Sequence, residues 1–158
     1  MPLIHLTTFI EAPIERVFDL SRNIQLHKES MKQHREEAVA GTRFGLIEQN
    51  ETVTWKAKHF FKTRILRVGI TEMQKPFRFV DEQFQGSFKE MKHEHHFKSC
   101  ENGTIMIDLF RFEIPYGTIG KLLNNFYLTR YVKNLLQRRN GVIKEYAESN
   151  KWRMLLDN

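Results

Sequence analysis

After Pro115 the hydrophobic period of this chain changes, and that change limits what the chain can fold into. From Gly117 to about Glu148 apolar residues return at near-helical intervals. Ile119, Leu122, Phe126, Leu136, Ile143 and Ala147 form the stripe, and Leu123, Val132 and Leu135 broaden it. The spacing predicts one long amphipathic helix. Roughly thirty residues of helix span about 45 Å, so the apolar face needs a broad apolar surface to lie against. Gly141 falls inside this helix and weakens it there by about 1 kcal/mol, which predicts a kink or a tight contact.

The preceding residues supply such a surface. Leu3 to Glu11 reads as a first strand, ended by Ala12-Pro13. Pro13 suits a helix start, and Ile14, Val17 and Phe18 follow at helical spacing to about Ser21, with Asn23 closing the helix. A second short helix runs from Ile24 to Met31. From Glu37 the pattern turns extended: Ala38 to Gly41, Phe44 to Glu48, Thr52 to Thr63, Ile65 to Met73, Phe77 to Phe84, Phe88 to Lys98 and Thr104 to Ile114. Strands followed by a helix that covers one face make an α+β domain.

On the sixth of these segments, side chains alternate across the strand, so Met91, His93, His95 and Phe97 share a face. Met91 and Phe97 mark that face as inward, which places two imidazoles among apolar neighbours. On the Thr52 to Thr63 segment, Val53, Trp55, Ala57, His59 and Phe61 share a face, so His59 also points inward. Phe88 has the opposite parity to Phe97, which hints at a bulge.

Composition bounds the function. The 158 residues, 41% apolar and rich in Phe (13), fit a single domain over 1–158 with a core large enough to leave room for a ligand. The net charge is 25 − 19 = +6. A late basic cluster of Arg130, Lys133, Arg138, Arg139 and Lys144, with Lys151 and Arg153 after it, reads as a solvated helix face, although such charge also attracts anionic lipid or nucleic acid. No interleaved aromatic and basic motif points to a nucleic-acid partner. Cys100 is the only cysteine, which fits a reducing compartment. Met1 to Glu11 lacks the pattern of a signal peptide, and no apolar run approaches 18 residues. A cytoplasmic protein without stable membrane insertion is expected. Gly-rich phosphate loops, GxSxG and CxxC are all missing, which argues against nucleotide cofactors and serine hydrolysis.

The order of elements, together with local words, resembles the helix-grip fold of the START-like (SRPBCC) superfamily. Phe9-Ile10-Glu11-Ala12-Pro13-Ile14-Glu15-Arg16-Val17-Phe18-Asp19 is similar to its first strand and helix start. Gly45-Leu46-Ile47, Glu51 to Phe60, and Pro76 to Gln83 continuing through Gly86, Phe88, His93 and His95 resemble one bacterial branch, described as ligand-binding or cyclase/dehydrase-like. Asp108, Pro115-Tyr116-Gly117 and Gly120 complete the likeness. Similar sequences commonly have a Trp near Met91, and the more adaptable Met implies a pocket wall of different shape here. The resemblance implies a curved antiparallel sheet of about six to seven strands wrapped around a long C-terminal helix, with two short helices after the first strand. It further implies a cavity between sheet and helix that takes a small hydrophobic, lipid-like or polyketide-like molecule. It carries over no catalytic set.

Several chemistries suit the inward histidines. Asp81, Glu82 and Asp108 lie on strands able to neighbour them, and a His-His-carboxylate set matches zinc or iron. The His-x-His spacing only permits a metal, and HExxH is lost because Phe97 takes the second His position. No metal and no cofactor is assigned. Acid–base work on a bound carbonyl compound, as in a polyketide cyclase or dehydratase, would use His59, His93 or Asp108. Polar anchoring of an apolar ligand is preferred, with Trp55, His59, Glu82, Met91, His93, His95, Asp108 and Phe126 as binding residues. A buried histidine can also simply satisfy its neighbours within a core. A protein partner would instead use the basic helix and the Trp152, Met154, Leu155, Leu156 tail, whose plainer role is to cover a sheet edge.

Overall fold

The computed structural model describes residues 1–115 and 118–157, with side chains throughout except in 118–124. Ile119, Leu122 and Leu123 of the predicted stripe, and Tyr116-Gly117 and Gly120 of the resemblance, lie outside the described side chains.

Among the described residues, seven strands form one antiparallel sheet: β1 (Leu3–Ile10), β2 (Glu37–Gly41), β3 (Thr52–His59), β4 (Lys62–Gln74), β5 (Arg78–Gln85), β6 (Glu90–Cys100) and β7 (Gly103–Glu113). Their order is β1-β7-β6-β5-β4-β3-β2. Helices α1 (Ile14–Ser21) and α2 (Ile24–Ser30) carry the chain from β1 to the opposite edge. The long helix α3 (Thr118–Glu148) follows β7, and a short helix α4 (Arg153–Leu156) ends the chain. Bulges between Ala38 and Ala40, Arg67 and Val68, and Ile70 and Glu72 bend the β2–β5 side of the sheet. This is the α+β helix-grip arrangement.

Local chemistry explains the short helices. Ile14, Val17, Phe18 and Ser21 recur at helical spacing and are buried. Asn23, expected to close α1, instead opens α2: its side chain accepts the Leu26 N–H at 2.9 Å. On α3, Val132, Leu136, Ile143 and Ala147 are buried against the rest of the core. The helix runs on through Gly141, where an added Cβ would meet nothing within 4 Å, so the expected tight contact is not there.

Three strand expectations need correction. Phe44 to Glu48 is not a strand and contributes only the isolated bridge of Leu46 to Asn23. Thr52 to Thr63 is not one strand, because β3 and β4 meet in a tight hairpin turn at Phe60 and Phe61, with φ of +51° and +63°. Left-handed φ at both central positions normally selects Asn or Gly, and each bulky residue there costs on the order of 1 kcal/mol. Phe61 consequently leaves the inward face and is 96% exposed. The bulge inferred from Phe88 is absent: β6 pairs with β7 without a shift from Glu90 to Cys100, and Phe88 precedes the strand.

The tail packs against helices. Arg16 of α1 lies 4.2 Å from the centre of the Trp152 ring, and α4 packs against α1. Trp152 is therefore held by its own chain.

Candidate functional site

Between the sheet and α3 lies a cavity of about 820 Å³. Apolar walls come from Val53, Val68, Ile70 and Met91 on the sheet and Leu136 on α3. One end is closed by polar groups. The other is bordered by the exposed residues Phe60, Ile65, Ser87, Pro115 and Tyr127, and forms the mouth.

The closed end, or floor, is built by strand register. Met91, His93, His95 and Phe97 all face inward and are buried. In register, His93 stands opposite Asp81 of β5 and His95 opposite Asp108 of β7. The hydrogen bonds run diagonally instead. His93 Nε2 donates to Asp108 Oδ1 at 2.8 Å, and His95 Nε2 donates to Asp81 Oδ2 at 2.7 Å. The rings sit 3.7 Å apart, and Phe79 stacks on His95 at 4.0 Å.

From the other side α3 contributes Arg139 and Asn140. Asn140 Nδ2 donates to Asp108 Oδ2 at 2.7 Å, and Arg139 Nη1 lies 3.6 Å from Asp108 Oδ1. Arg139 Nη2 donates to the Ser21 carbonyl at 3.0 Å and lies 3.5 Å from His95 Nδ1. Asp108 is fully buried yet surrounded by donors on every side.

These contacts set the charges. Burial alone would raise the Asp108 carboxyl, but hydrogen bonds from His93 and His95 and the Arg139 charge hold it well below the usual carboxylate range. Asp81 is also lowered, because His95, His93 and Arg139 outweigh its burial. His93 is pushed down to about 4, by burial and then by its neighbour His95, against the pull of the two carboxylates. At neutral pH His93 is therefore an uncharged ring whose Nε2–H is committed to Asp108. Its Nδ1 is a lone-pair acceptor with Asp81 Oδ2 4.0 Å away. Asp81, His93, His95 and Arg139 all border the cavity. Such a floor can accept a hydroxyl proton at His93 and offer guanidinium donors to a carbonyl or carboxylate.

The same atoms suit a cation. Ligand atoms of Asp81, His93 and His95 lie within 4.8 Å of one another, and Asp108 on the far nitrogen of His93 resembles the outer carboxylate of a zinc-bound histidine.

A second polar group sits on the side wall nearer the mouth. His27 bonds Glu36 at 2.6 Å and lies over Trp55 at 4.4 Å. His59 Nδ1 bonds the Tyr131 hydroxyl at 2.6 Å and stacks on His34 at 4.5 Å. Burial, then the nearby His34, lower the His59 pKa.

The structure brings together most of the sequence-predicted residues. Trp55, His59, Met91, His93 and His95 border the cavity, and Asp108 lies directly beneath it. Two do not belong there. Glu82 has the opposite parity to Asp81 and pairs in register with Lys92 on the outer face, so Asp81 takes the place given to it. Phe126 is 64% exposed and does not border the cavity; Tyr127, Leu128 and Tyr131 of the same helix do. Arg139, which the sequence groups with the solvated cations, is buried, and its neighbour Asn140 is a further floor residue that the sequence pattern does not mark by type. Their positions gave a signal, since 139 and 140 fall between Leu136 and Ile143 on the apolar stripe, where a charged residue needs a buried partner. Glu36 and Tyr131 had no such signal.

No protein-family model matches the chain, and neither does any curated protein. Solved structures do match. TTHA0849 from Thermus thermophilus is 21% identical, over 90% of this chain and 97% of that one, with a TM-score of 0.69. The di-domain ARO/CYC StfQ of the steffimycin biosynthetic pathway is 11% identical, over 92% of this chain and 50% of that one, with a TM-score of 0.73. Major latex-like protein 151 of Panax ginseng is 12% identical, over 92% of this chain and 97% of that one, with a TM-score of 0.67. The chain therefore has the START-like helix-grip fold. Among the described residues no helix is long and apolar enough to cross a membrane.

Proposed function

We propose that this protein binds a small, largely apolar molecule in the cavity and holds its oxygen-bearing end on the floor formed by Asp81, His93, His95 and Arg139. The observation that carries the reading is the contrast within one cavity of about 820 Å³: apolar walls, and a floor of converging donors and acceptors. A space of that size suits a ligand of lipid or polyketide dimensions. The neutral His93 favours a hydroxyl, and Arg139 favours a carbonyl or carboxylate. Native mass spectrometry of the purified protein tests this directly. It should carry a co-purified apolar compound whose retention weakens in His93→Ala. A cavity that arrives empty and takes up neither fatty acids nor aromatic polyketides would refute it.

One observation favours a second reading, acid–base catalysis on the bound molecule. Asp108 holds His93 in a single tautomer and leaves Nδ1 as the acceptor, which is how a general base is oriented. The two-domain ARO/CYC that shares this fold shows that the name cyclase occurs on it. Turnover of a polyketone with a pH profile that disappears in His93→Gln would support catalysis; binding without turnover would leave the protein a carrier.

A further inference from the structure

Two stretches that each supply residues to the cavity mouth carry no acidic side chain. Residues 52–71 span β3, the Phe60–Phe61 turn and most of β4; they include Lys56, Lys58, Lys62, Arg64 and Arg67 and no Asp or Glu. Residues 114–144 include Arg130, Lys133 and Arg138 and again no Asp or Glu. All 19 acidic residues lie elsewhere in the chain. The basic excess thus lies in these two stretches, with Lys58, Lys62, Arg130 and Lys133 toward the mouth and Arg139 at the floor.

The same rim is aromatic and open to solvent. Phe60, Phe61, Phe126 and Tyr127 are all exposed. Phe60 packs on Tyr131 at 4.5 Å with Phe61 next to it in the turn, Tyr127 lies one helical turn from Tyr131, and its ring meets Phe126 at 5.8 Å. A lone exposed Phe is ordinary. The turn is different, because its two Phe residues adopt a backbone that favours Asn and Gly and then present a phenyl to water. A residue that is costly in both respects implies a contact that uses it.

We propose that this rim docks the protein on an anionic lipid bilayer. Phe60, Phe61, Phe126 and Tyr127 enter the headgroup boundary, while Lys58, Lys62, Arg130 and Lys133, all exposed, face the lipid phosphates. A nucleic acid would use the charge, but it has no acyl layer for a phenyl at a hairpin tip; a bilayer uses both. Docking in this pose sets the mouth against the lipid, so an apolar molecule moves between membrane and cavity without crossing water. That consequence rests on the proposed cargo, whereas the docking itself rests on the rim alone.

Vesicle flotation of the full chain tests it, with phosphatidylcholine vesicles compared with vesicles containing phosphatidylglycerol. The protein should float with the anionic vesicles only, and added salt should weaken the association. Phe61→Asn suits the left-handed backbone, so its thermal stability should hold or rise while vesicle affinity falls about tenfold or more. Lys58→Glu with Lys62→Glu should abolish the preference for anionic lipid. Flotation of Phe61→Asn at the wild-type level, equal binding to neutral vesicles, or binding to single-stranded DNA without vesicle binding would each overturn the proposal. Native mass spectrometry of Phe61→Asn, with an unchanged load of co-purified ligand, separates failure at the rim from failure of the cavity reading.

Discussion

The two ends of the cavity solve opposite problems. At the floor, buried polar groups are matched one to another: two carboxylates, two imidazoles, a guanidinium and an amide, with every carboxylate oxygen that takes part receiving a donor. At the mouth, apolar groups that the interior could have used are left in water, two of them on an unfavourable backbone. The floor obeys the rule that buried charge be compensated; the mouth breaks the rule that turns be made of turn residues. The floor thus contributes to the fold as well as to binding, whereas the most exposed rings at the mouth, Phe61 and Phe126, add little to stability.

Breaking the floor should have the largest effect. Asp108→Ala strands Asn140, Arg139 and His93 without their shared acceptor, and a loss of about 3–5 kcal/mol in unfolding free energy is expected from urea titration. Retention of wild-type stability would mean the network is idle. The pH dependence comes next. The folded His93 pKa lies near 4, below the ordinary value of 6.5. Between pH 6.5 and about 4 the unfolded chain takes up a proton that the folded chain refuses, so stability should fall by a few kcal/mol across that window. His93→Gln should flatten that limb in thermal melts. The depressed Asp81 and Asp108 act at lower pH: their stabilisation is present above the ordinary carboxylate value and is lost as pH falls through their folded pKa values.

At the side wall, Tyr131→Phe removes the hydroxyl bonded to His59 and should cost about 1 kcal/mol. The rim should be the most tolerant region: Phe126→Ala is expected to change stability by less than about 0.5 kcal/mol and to leave cavity binding intact. A large loss would show that Phe126 packs where its exposure says it does not. Elemental analysis sharpens the comparison at the floor. Polar anchoring predicts no stoichiometric metal, and one zinc per chain that disappears in His95→Ala would make the floor a metal centre.

Much of the scaffold was legible because side-chain period survives in sequence. The inward face of β6 followed from Met91 and Phe97 alone, and the long helix from residues such as Leu136 and Ile143. Where sequence reasoning failed, the cause was local. The run from Thr52 to Thr63 alternates without a break, and nothing in Phe60-Phe61 resembles a turn, so the hairpin was hidden by its own atypical residues. Glu82 was preferred to Asp81 because register across β5 cannot be counted without its bulged pairing to β4. Arg139 was lost among cations because charge runs suggest solvent, although its place on the stripe pointed inward. Phe126 fell on a hydrophobic stripe that the helix turns away from the cavity at that level.

The order of the sheet has a consequence for how the protein is made. The first strand has its sheet neighbour in the last, with Leu3 opposite Arg111 and Ile10 opposite Thr104. During synthesis β1 therefore waits, unpaired, until β7 has emerged, and Asp108 meets Asn140 only after α3 has followed. A nascent chain stalled before that point exposes a sticky edge, so chaperone dependence should be greatest before β7 emerges and should fall once it pairs with β1.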